Sequence, residues 1–158
     1  MKKAHISGVP EVERQSPSGK FHSYRKDVSG ALGRDEPALL RHPFDLMQVR
    51  IPAGAKLCPY HMHSAQWEMY VVLSGRAIFR DEGGEHEAGP GDTVLYPPGE
   101  AHQISNPGPE ELSYYVIADN PLGESCYYPD SGKRLIFMPQ MERVVLRGTE
   151  VDYFDGED

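Results

Sequence analysis

The sequence predicts an all-β protein, an antiparallel sandwich or barrel, on the strength of two observations. Stretches rich in Val, Ile, Tyr and Phe recur at strand length between Phe44 and Ala118: FDLMQVRI, LCPYHMH, WEMYVVL, RAIFR, DTVLY, AHQIS and LSYYVIA. Between them fall Gly-Pro, Pro-Pro-Gly and Gly-Gly, part of a total of 16 glycines and 14 prolines in 158 residues. Punctuation that dense leaves room for short strands and hardly any for long helices. Regular short strands with turns between them close into antiparallel sheets.

A chain of 158 residues fits one domain with a single core. Three zones are expected within it. Residues 1–43 form an N-terminal extension, polar and mixed, with a turn at Ser16-Pro17-Ser18-Gly19 and a short helix from Asp35 to His42 that has Pro37 near its start. Residues 44–118 are the barrel core. Residues 119–158 pack on the barrel as a C-terminal extension with two further strands, LIFM and VVL, and end in the acidic tail EVDYFDGED.

Charge and cysteine usage narrow the classes. A net charge of -8 and a pI near 5.3 argue against nucleic acid or an anionic membrane as partner, since both require a basic face. The start, MKKAHISGVPEVERQ, has no apolar run behind its lysines, so a cytoplasmic protein is expected. Cys58 and Cys126 stand far apart and outside any CxxC pattern, which reads as two reduced, largely buried thiols, although Cys58 lies close enough to His61 for a redox or metal-poisoning role.

The chemistry lies in the middle zone. His61 and His63 are two apart in a strand-like stretch, and the period of two puts both imidazoles on one face, where one metal could take both. Glu68 stands five positions beyond His63, an offset that would turn its carboxylate to the other face of an unbroken strand. A turn or bulge is therefore expected at Ser64-Ala65-Gln66, after which Glu68 opens a strand and shares its face with Tyr70 and Val72. His102 follows the Pro97-Pro98-Gly99 turn. Imidazoles with a single carboxylate suit one divalent transition-metal ion, Fe, Mn, Ni, Co, Cu or Zn, more than Mg or Ca. The other histidines, His5, His22, His42 and His86, read as ordinary surface or satisfied residues.

These residues stand at spacings that resemble the cupin family. The first cupin motif is matched by Gly54, His61, His63, Glu68 and Gly75, and the second by Gly91, Pro97, Gly99, His102 and Asn106. Six residues instead of five separate Gly54 from His61, which touches the loop before the first ligand, and a short spacer of fifteen residues separates the two motifs. The resemblance implies a compact jelly-roll barrel of double-stranded β-helix type, a metal held by His61, His63, Glu68 and His102, and a homodimer.

Candidate substrate contacts are Trp67, Tyr70 and Tyr96, which flank the ligands, and Arg50. A phosphorylated sugar, the substrate of phosphomannose-isomerase-like cupins, calls for a cation over the barrel mouth. Residues 57–75 and 81–132 contain no Lys or Arg, so the candidates reduce to Arg50, Lys56, Arg76, Arg80 and the pair Lys133-Arg134. The stretch CYYPDSGKRL resembles the tail of small cupins labelled sugar-phosphate isomerases; physically, Pro129-Asp130-Ser131-Gly132 is a turn signature. The expected function is a metal-dependent enzyme acting on a small oxygenated metabolite, with Glu68 as ligand and general base, and with dioxygenase chemistry placed slightly ahead of isomerisation of a sugar or keto acid. The other class is a non-enzymatic binding or sensor protein that holds a small ligand on its metal.

Overall fold

The computed structural model describes residues 1–33, 43–121, 123–136 and 144–157; the helix expected from Asp35 to His42 lies outside them. In chain order the strands are β1 (Glu11–Gln15), β2 (His22–Asp27), β3 (Phe44–Ile51), β4 (Met62–His63), β5 (Glu68–Ser74), β6 (Ala77–Asp81) and β7 (Gly84–Ala88). They continue with β8 (Thr93–Tyr96), β9 (Gln103–Ser105), β10 (Leu112–Asp119), β11 (Ser125–Tyr128), β12 (Lys133–Ile136) and β13 (Val144–Arg147). One helical turn, α1 (Val28–Ala31), follows β2 and is capped by Asp27, whose Oδ1 accepts from Gly30 N at 2.7 Å. The fold is all-β, as the strand pattern predicts. No helix among the described residues is long and apolar enough to cross a membrane.

The strands form a six-stranded sheet in the order β1-β2-β3-β10-β5-β8, a four-stranded sheet β13-β12-β11-β4 and a three-stranded sheet β7-β6-β9. Alternation along β3, β5 and β10 turns Val49, Ile51, Tyr70, Val72, Tyr114 and Val116 inward, where they meet Ala77 and Phe79 of β6, Ala88 of β7 and Ile104 of β9 in one core. Burying each large side chain contributes roughly 1.5–3 kcal/mol.

Four strands escape the hydrophobic pattern. β1 is exposed along its whole length and β2 is mostly polar, yet their backbones pair with each other and β2 pairs with β3, so the N-terminal segment widens the main sheet. β7 and β11 are likewise too polar or too short to stand out. The LCPYHMH stretch, in contrast, shrinks to the two residues of β4, with Pro59 unable to donate to a ladder.

Gly75 closes the β5–β6 turn with φ of +80°, and a Cβ there would lie 2.6 Å from Glu111 O and 2.8 Å from Leu112 Cα, both backbone atoms. Gly75→Ala therefore meets strain and a clash together. We expect a loss on the order of 2 kcal/mol or more in urea unfolding, with an unchanged slope. A midpoint equal to that of the wild type would show that β10 gives way at no cost.

Candidate metal centre

The expected ligands converge at one end of the barrel, where β5 begins. His61 precedes β4 and His102 precedes β9, and the two are joined backbone to backbone, His61 N donating to His102 O at 3.1 Å and His102 N to His61 O at 2.7 Å. Gly99 N donates to His63 O at 2.8 Å, which fastens the Pro97-Pro98-Gly99 turn to β4. Glu68 pairs in register with Tyr96 of β8 and Ala118 of β10, and Tyr70 and Val72, at the alternate positions that follow it, are both buried in the core. Asn106, the last residue of the second motif, is a staple: its Nδ2 donates to Ile51 O and Glu110 O, and its Oδ1 accepts from Gly108 N.

The ring protons can be assigned from the acceptors. A carbonyl oxygen only accepts, so His61 Nδ1, 3.0 Å from Pro59 O, and His102 Nδ1, 3.2 Å from Glu100 O, carry protons. His63 Nδ1 stands 3.2 Å from Glu124 Oε1 and donates there in the same way. With no second proton, each ring has a bare Nε2.

Those of His63 and His102 lie 3.3 and 3.0 Å from Glu68 Oε2. The single proton of the Tyr70 hydroxyl goes to that same oxygen at 2.6 Å. Two nitrogen lone pairs thus confront a carboxylate in a buried site, and His63 Nε2 makes no hydrogen bond at all. Such an arrangement lacks a cation, and the donor separations fit bonds of about 2.0–2.2 Å to one ion. His61, His63 and Glu68 are close enough together to hold an ion, and His102 Nε2 shares the carboxylate.

Electrostatics agree with this. Burial, then the neighbouring His102, holds His61 down at about 4, so it stays neutral. Burial alone would raise the Glu68 carboxyl, but His102 and His63 outweigh it and keep Glu68 ionised. Burial also opposes a charge on His63, yet Cys126 and Glu68 overcome this and raise its pKa. Glu68 thus favours positive charge at His63 Nε2, where a proton and an ion compete for the same lone pair. Metal affinity should rise with pH between about 5 and 8 with release of protons, measurable by calorimetry in buffers of different ionisation enthalpy. Affinity flat over that range would argue against histidine ligation.

The other expected site residues divide. Tyr70, 1% exposed, touches both Glu68 and His102, and the ring of Tyr96 stacks on His102 at 4.2 Å and 7°. Trp67 is 47% exposed, with its backbone N tied to Asp119 Oδ1. Arg50 is not brought to the centre. It pairs in register with Ser113, at the end of β10 away from Ala118, and its guanidinium is held by Glu11 and Glu111. The free thiols are Cys126, buried, and Cys58, half-buried, with its Sγ 3.6 Å from His61 Nδ1. Burial and Glu68 push the Cys58 thiol up to about 12, so it is no thiolate at neutral pH.

Two placements do not follow from the sequence. Glu124, remote in the chain, receives His63. The β11–β12 hairpin lies against β4, with Cys126 opposite His63 and Tyr127 opposite Met62. Cys126 Sγ is 3.4 Å from His63 Nδ1, so the face of the hairpin carrying Cys126 and Tyr128 looks onto the ligands. The Tyr128 ring stacks near His61 at 6.1 Å and 26°, and Lys133, opposite Tyr128, places Nζ 5.4 Å from that ring. Arg134 turns to the other face, over Tyr127 and toward Glu150.

Residues 47–118 match the family model described as "Cupin domain". That segment is a cupin domain. The chain's likeness to solved cupins extends beyond it: a sugar phosphate isomerase candidate from Acidithiobacillus ferrooxidans is 26% identical, with a TM-score of 0.76 over 89% of this chain and 86% of the other. A sugar phosphate isomerase from a cupin superfamily, from Silicibacter pomeroyi, is 22% identical, with a TM-score of 0.79 over 96% and 97%. By sequence, the cupin segment is 29% identical over 70 residues to an oxalate-binding protein of Thermotoga maritima, covering 44% of this chain and 57% of that one. The chain spans only 50% to 57% of the length of the curated relatives it matches.

Proposed function

We propose that this cupin is a metal-dependent enzyme that isomerises a small, anionic, oxygenated metabolite, a phosphorylated sugar or a keto acid. The observation that carries the reading is the convergence of bare imidazole nitrogens on one buried, ionised carboxylate. His61, His63, Glu68 and His102 would hold a divalent transition-metal ion, which when bound supplies a Lewis acid for a carbonyl or hydroxyl oxygen. Glu68 is kept as a carboxylate and can move a proton between adjacent carbons of the substrate, taking it from one and returning it to the next while the hydroxyl proton passes between the two adjoining oxygens, with no net change in atoms. Tyr70, whose hydroxyl is pushed well above its usual range by burial and by Glu68, keeps its proton and orients Glu68 Oε2.

Isomerisation moves ahead of dioxygenase chemistry for two reasons. Lys133 stands on the face of the hairpin that looks onto the ligands, where an anionic substrate would need a cation, and the likeness to the sugar phosphate isomerase candidate spans most of both chains. The test is turnover by protein loaded separately with Mn, Fe, Ni, Co or Zn, on panels of sugar phosphates and keto acids, with oxygen uptake followed in parallel. Isomerised product without oxygen uptake supports the proposal. Oxygen consumption would restore the dioxygenase, and binding of oxalate or a sugar phosphate without turnover would point to a binding protein.

A further inference from the structure

Glu124 precedes β11, is 7% exposed and carries no role in the reaction proposed above. Its two oxygens accept four N–H groups. Oε1 takes His63 Nδ1 at 3.2 Å and Ser64 N at 3.0 Å; Oε2 takes Ala65 N at 3.0 Å and Gln66 N at 2.8 Å. A carboxylate offers about four lone-pair positions, so this one is saturated. That decides between two readings of the cluster His63, Glu124 and Cys126, whose donor atoms lie close enough to hold an ion of their own. With every lone pair of Glu124 engaged and His63 Nδ1 protonated, the cluster is already satisfied from within. It serves the neighbouring centre instead.

The contacts fall on the two features that centre needs. The bond to His63 Nδ1 sets the tautomer and the ring angle that turn Nε2 toward Glu68. The bonds to Ser64, Ala65 and Gln66 hold the turn that corrects the five-residue offset and brings Glu68 to the side of the histidines. We propose that Glu124 is a positioning residue of the metal centre, fixing one ligand directly and a second through the turn between them. This rests on the metal-binding reading.

The test is the dissociation constant for Zn²⁺ and Co²⁺, by competition with a coloured chelator, in wild type, Glu124→Gln and Asp119→Ala. Gln keeps the size of Glu124, but its amide nitrogen cannot accept, so at least one pair of bonds is lost. Asp119→Ala loosens the same turn, through its bond to Trp67 N, without touching a histidine. Glu124→Gln should weaken binding by about 10–100-fold, the usual cost of losing an orienting partner, and Asp119→Ala by no more than about threefold. Ring ¹⁵N shifts of the Zn²⁺-loaded wild type should show His63 protonated on Nδ1, which needs no variant to fold. Wild-type affinity in Glu124→Gln, an equal loss in Asp119→Ala, or His63 protonated on Nε2 would each overturn the inference while leaving the metal reading intact. A wild type that binds neither ion would overturn both.

Discussion

His102→Ala should leave a folded barrel with almost no metal. The imidazole is 1% exposed, stacked on Tyr96 and oriented by Glu100 O, while the backbone bonds to His61 do not depend on it. Substitution removes one bond to the ion and opens a void beside Tyr70 and Glu68. Losing a mere orienting partner costs about 10–100-fold in affinity, so loss of a direct ligand should cost more than about 100-fold. Elemental analysis of protein purified without chelators should find about one equivalent per wild-type chain and less than about a tenth of that in the variant. His61→Ala should behave alike. A wild-type protein that stays empty when offered iron, manganese, nickel and zinc would remove the centre itself.

Glu68→Gln should separate holding the ion from using it. Glu68 is the one anionic member of the proposed ligand set, and the Tyr70 hydroxyl is aimed at its Oε2. Gln preserves the size and one oxygen that can still bind the ion and accept from Tyr70, but it cannot take a proton. A substantial part of the metal should therefore remain, with turnover down at least about tenfold, the ordinary scale of a general base. His63→Ala should lose metal and turnover together. Metal content and activity must be read on the same preparations, because equal activity per bound ion in Glu68→Gln and wild type would reduce the carboxylate to a ligand.

Three of the candidate ligands were legible because their geometry is local. His61 and His63 declare a shared face by their spacing, and the odd offset of Glu68 requires the turn that the structure places at residues 64–66. His102 stands apart from them in the chain and joined the set through the resemblance of its proline-glycine turn to the second cupin motif. Glu124 was not legible, since it is a single acidic residue in a polar loop whose partners lie about sixty positions earlier and are mostly backbone groups, which leave no trace in side-chain pattern. β1 and β2 escaped for a related reason: strands held by backbone pairing at the edge of a sheet need no apolar alternation. Arg50 entered the candidate site as an available cation. Its position on β3, with Glu11 and Glu111 on either side, gives it a place in the sheet instead.

The backbone bridge between His61 and His102 also decides which part of the chain can be rebuilt. Their separation is set by the ladder itself and by Gly99 against His63, and not by the length of chain running from β5 through β7. The β6–β7 turn at Glu82 and Gly83 is exposed and stands in that run. Lengthening such a loop costs only about 0.6 kcal/mol per doubling. That turn is accordingly a place to graft an affinity peptide or a fluorescent reporter that leaves the centre as it is.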